Sequence, residues 1–87
     1  MVTAEFHQER QRLLCLMKSA PDHYELAFSG AEHAGYLRGL RDSGSIGGAA
    51  YELHQVEAEK VAFFAFERLA AELDAEAAHQ PSVKAAC

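Results

Sequence analysis

The sequence has no tryptophan, two prolines, two cysteines and six glycines in 87 residues. Each shortage excludes something. Two cysteines, Cys15 and Cys87, are too few for a disulfide framework, which points to a reducing, cytoplasmic setting. No apolar run approaches the about 18 residues that would cross a bilayer, and the charged N-terminus is unlike a signal peptide. The expectation is a chain that is neither secreted nor in a membrane. Basic residues are also scarce, eight against 13 acidic ones, for a formal charge of −5. Residues 52–76 hold seven acids against Lys60 and Arg68. A long acidic segment is repelled by phosphate backbones, so direct nucleic-acid binding is not expected.

Catalytic and metal motifs are missing too. There is no Cys-x-x-Cys, no His-Glu-x-x-His and no pair of Glu-x-x-His segments. "SGSIGG" is neither a Gly-x-Ser-x-Gly elbow nor a phosphate-binding loop, and its glycines are explained by turn chemistry. Too few polar groups converge for a preorganised site. The chain reads as a non-enzyme without a cofactor.

What is present is helical. Alanine supplies 17 residues, and the large apolar set is small: nine Leu, five Phe, four Val, three Tyr, two Met and one Ile. Alanine-rich, glycine-poor composition favours helix. A first helix is expected over about 4–18, capped by Thr3, with Glu5 at the positive end of the dipole. Its apolar stripe is Phe6, Leu13 and Met17, widened by Leu14 and Leu16. In "PDHYELAF", residues 21–28, Tyr24, Leu26 and Phe28 alternate. A lone strand would lack a partner. The segment is therefore expected to be an extended or single-turn connector that lays these three groups on the core, with a helical turn after Pro21 as the alternative.

"SGAE", residues 29–32, has the Ser-x-x-Glu form of a capping box and places a second helix over 30–43. The stripe His33, Tyr36, Leu37 and Leu40 follows, and Gly44 provides a left-handed stop. Gly47 then caps a third helix over 48–78, with Ile46 and Tyr51 as a hydrophobic staple. The expected architecture is all-α: one three-helix domain over 1–79, two helices short and the C-terminal one long, with a flexible tail over 80–87.

Within the long helix, "VAFFAF" at 61–66 is apolar at six consecutive positions. On a helical wheel the large residues of the first half (Leu53, Val56, Phe63, Phe64) centre near about 250°. Those of the second half (Phe66, Leu69, Ala70, Leu73, Ala77) centre near about 135°. Two apolar faces need two covers. The second helix is the expected cover for the first half and the first helix for the second. A helix of that length spans about 46 Å, more than the about 30 Å diameter of a compact globule this size. Pairing with a second copy, antiparallel about a two-fold axis, is the simplest further cover. The residues expected at such an interface are Val61, Phe64, Phe66, Leu69 and Leu73. A foreign protein in the same place, or both stripes folded into one monomer, are the other readings.

Two further readings concern chemistry. His54 and Glu57 are three apart and spaced to chelate, which with His33 makes a small metal- or ligand-binding protein the alternative function; a solvated face is the plainer account of the pair. His33 shares a stripe with leucines, so it reads as a border histidine with one nitrogen in water, or as a pH-sensitive interface contact. The acids Glu67, Glu72, Asp74 and Glu76 form either a solubilising face or an anionic surface for a basic groove on another protein. In size, charge and helix content the chain is similar to small acidic helical inhibitors made by phages and plasmids, a likeness of type without a shared motif. "LRGLRDSGSIGGAAYE" also resembles helical hairpins of small bacterial accessory proteins, on generic capping cues over 16 residues. The two likenesses together imply an adaptor or inhibitor of the mobile-element type that binds a protein partner.

Overall fold

The computed structural model describes residues 3–77. It is a three-helix all-α bundle with α1 over Ala4–Lys18, α2 over His23–Asp42 and α3 over Gly48–Ala77. The expected tail over 80–87, with Pro81 and Cys87, lies outside the described residues, as does His79.

Local chemistry sets most boundaries. The Thr3 hydroxyl accepts from the Phe6 amide at 3.1 Å and caps α1. Gly44, at φ 78°, ends the α2 exit in the left-handed region that a side chain disfavours. The Gly47 carbonyl accepts from the Tyr51 amide at 2.9 Å, and Ile46 packs with Tyr51 as the staple requires.

The start of α2 departs from expectation. Of the expected connector over 21–28 only Pro21 and Asp22 lie outside a helix, so the helical alternative after Pro21 is the one that occurs, and Ser29 is not a cap. Asp22 is the cap, its Oδ1 accepting from the Glu25 amide at 2.8 Å, and the helix runs on through Ser29 and Glu32. "DHYE" at 22–25 is an acidic N-cap with glutamate three residues on, the same signal as "SGAE" but directly after Pro21. The helical periodicity then decides which side chains are buried. Leu26, Ser29, His33 and Leu37 face inward, while Tyr24 and Phe28, expected on the core, are exposed.

α1 and α2 both run along one side of α3. One apolar cluster joins Leu14, Met17 and Ala20 to Leu26 and to Ala58, Ala65 and Leu69, with Val61 and Ala62 against it. The other joins Phe6, Leu37 and Ile46, with Tyr36, Leu40, Ala50 and Tyr51. Each partner helix therefore covers both halves of α3, and the expected division of labour between them does not occur. The inward face of α3 does not rotate either. It is one stripe at three- and four-residue spacing: Tyr51, His54, Ala58, Val61, Ala62, Ala65 and Leu69. A wheel weighted by large residues misses it because its middle is alanine. The bundle is long for its mass, 49 × 19 × 16 Å.

Arg68 adds hydrogen bonds between α3 and the α1–α2 corner. Arg68 Nη2 donates to the carbonyls of Lys18 at 2.8 Å and Ala20 at 2.7 Å, while Nη1 meets Glu72 Oε1 at 3.1 Å. A guanidinium on the carbonyls at and just past the end of α1 satisfies acceptors that the helix leaves open and complements its dipole.

Candidate interaction face

Opposite its alanine stripe, α3 turns large apolar groups to solvent. Leu53, Val56, Phe63 and Phe64 are all exposed, Phe64 by 68%. The rings of Phe63 and Phe64 meet edge to face at 5.6 Å. With Val56, Glu59 and Lys60 they line a shallow open depression on the outer surface. The first-half stripe is thus not core. Burying small residues lets three helices approach closely, and the large ones are left on the far side.

The expected interface residues separate accordingly. Phe64 is on the outer face. Leu69, at 3% exposure, and the partly buried Val61 belong to the intramolecular core and are withdrawn from any outer contact. Phe66 and Leu73 are more than half exposed on a flank. Phe66 lies 4.8 Å from the His23 ring, and Leu73 lines a small hollow with Pro21, Asp22 and His23 at the start of α2. Of the four acids, Glu67, Asp74 and Glu76 are exposed, whereas Glu72 is partly buried on Arg68.

A second arrangement lies between the two apolar clusters. Arg10 from α1, His33 from α2 and His54 from α3 are drawn inward, with Glu57 at the rim. Arg10 Nη2 donates to Glu57 Oε2 at 3.2 Å. His54 Nδ1 is 3.6 Å from Glu57 Oε1, longer than a hydrogen bond. The His54 ring packs edge-on to Phe6 at 5.3 Å, and Phe6 also stacks on Tyr36. The pair expected on a solvated face is therefore half in the core. His33 is not a border residue: it is 1% exposed, and its Nε2 has no hydrogen-bond partner. Nor can it be an interface contact, because α1 and α3 enclose it.

Burial pushes both histidines below their ordinary pKa, and the nearby Arg10 charge pushes the same way. Both are favoured neutral in the fold. Among the described residues no three His, Cys, Asp or Glu side chains gather as a metal site. His54 and Glu57 share their space with a buried guanidinium, which already neutralises the carboxylate and repels a second cation.

Arg10 was legible but overlooked. Phe6, Arg10, Leu13, Leu14 and Met17 follow helical spacing, so Arg10 falls on the inward stripe. For Arg68 the sequence shows only the i,i+4 pair with Glu72, since its main-chain partners lie about fifty residues away.

Among the described residues no helix is long and apolar enough to cross a membrane. Comparison with protein-family models, with curated proteins and with solved structures gives no match.

Proposed function

We propose that this chain is a non-enzymatic helical protein that acts by binding protein, as an adaptor or inhibitor in a reducing compartment, and that it does so as a homodimer joined through the outer face of α3. One observation carries the reading: among the described residues Leu53, Val56, Phe63 and Phe64 lie exposed on one side of α3, with Lys60 among them. Large apolar patches on a small protein mark interaction surfaces, because leaving them in water forgoes their burial and invites association. Phe66 and Leu73 extend apolar surface along the flank. The exposed acids Asp74 and Glu76, near the C-terminal end of α3, would steer a basic partner. Such a partner, a nucleic-acid-handling protein for an inhibitor of the phage or plasmid type, would be held in a salt-sensitive way.

Light scattering behind size exclusion, with reductant to exclude a Cys87 disulfide, tests the reading. A mass near twice 9.5 kDa is expected. Phe64→Asp should keep the circular dichroism of the parent and elute as a single chain. A parent that stays monomeric at every concentration would refute self-association. The metal-binding alternative predicts a rise in Tm with added zinc. The cation at Arg10 argues for no change.

A further inference from the structure

The outer row of α3 has an order as well as a composition. From Val56 to Ala71 the exposed residues along the middle of this side are Val56, Lys60, Phe63, Phe64, Glu67 and Ala71, with Glu59 at its edge. Read from either end, the pattern is apolar, charged, aromatic, aromatic, charged, apolar, with the sign of the charge reversed. A two-fold axis between Phe63 and Phe64 would bring residues whose numbers sum to 127 face to face. Lys60 then meets Glu67, Val56 meets Ala71, and Phe63 meets Phe64 of the other copy. Each relation occurs twice, as an isologous contact requires. Of the two cations of α3, Arg68 is already engaged at the α1–α2 corner. Lys60 is left as the one that can answer an acid on this face.

Resting on the homodimer reading above, we infer that two copies of α3 pair antiparallel in this one register, with the Phe63/Phe64 rings at the centre and reciprocal Lys60–Glu67 ion pairs on either side. The axis falls near the middle of the Gly48–Ala77 helix, so the overlap runs over residues 50–77. The pairing sits on the side of α3 opposite Ala58, Ala65 and Leu69, so it leaves the bundle core undisturbed. The matched segment, Val56 to Ala71, spans about 22 Å. Beyond it Leu53 would lie opposite Asp74, which marks the end of good matching. A foreign partner would have no need of this inverted repeat, because only a surface that meets itself must be complementary to its own reversal.

Charge reversal tests the register. Lys60 and Glu67 are both exposed, so Lys60→Glu and Glu67→Lys should leave helix content and Tm near those of the parent. Each single variant sets like charges opposite one another twice and should weaken dimerisation by about tenfold or more in sedimentation equilibrium. The double variant should recover the parent's association. An equimolar mixture of the two single variants should form a heterodimer, since one copy then carries two acids and the other two lysines. A parent that sediments as one chain at all concentrations overturns the homodimer and the register with it. A dimer that ignores the single reversals, or is weakened by them but not restored by the double variant and the mixture, overturns the register while self-association stands.

Discussion

The inner and outer sides of α3 are built from different residues. Ala58, Ala62 and Ala65 face α1 and α2, with Leu69 the one large aliphatic residue fully enclosed there; Leu53, Val56, Phe63 and Phe64 face away. The difference teaches what each side is for. Small residues let helix backbones come close, and the bundle takes its larger side chains from α1 and α2: Leu13, Leu14, Met17 and Leu37. The outer side contributes nothing to this packing, and its exposed phenylalanines are the ground of the proposed contact with a second copy.

The sharpest way to break the comparison is to put the same charge on each side. Leu69→Asp places a carboxylate among apolar neighbours and should cost about 4 kcal/mol or more, enough to unfold a domain this small in chemical denaturation. Ala65, at 4% exposure, has no room for growth. Ala65→Leu should cost about 1–3 kcal/mol by overpacking, read as a lower urea midpoint. The polar layer gives a smaller, reversible effect. His33 and His54 have depressed pKa values in the fold, so the unfolded chain takes up protons first as the pH falls. Their contribution is complete above the unfolded value of about 6.5 and is lost as pH falls through the lower folded values. Stability measured between pH 8 and 5 should be flat at the top of that range and decline below it, and His33→Gln should flatten the decline. Phe64→Asp on the outer side should change unfolding free energy least, within about 0.5 kcal/mol in a dilute monomer. That contrast with Leu69→Asp is the comparison at its plainest.

Where local rules act alone, the sequence is a good guide. Thr3, Gly44 and the Ile46–Tyr51 staple sit where their own chemistry puts them, because each needs partners only a few residues away. The start of α2 was harder to read because two valid caps compete. Asp22-x-x-Glu25 and Ser29-x-x-Glu32 both have the form of a cap, and the first is the one used, with Leu26 and Ser29 then turned into the bundle. The candidate face was half legible. Phe64 and its neighbours stand out as a row, but which row faces inward depends on how closely helices can approach, and alanine carries that information without marking it by size. His33 and His54 were visible as residues of interest. Their burial beside Arg10 follows only when three stripes are brought to one level.

Arg68 bears on the order in which the chain is made. The carbonyls of Lys18 and Ala20 acquire their donor only from a residue synthesised about fifty positions later. On the ribosome the α1–α2 segment emerges first, with those two carbonyls left to water. It is fastened only when two thirds of α3 has followed, so the hairpin remains open to rearrangement until the helix that carries the outer face has arrived.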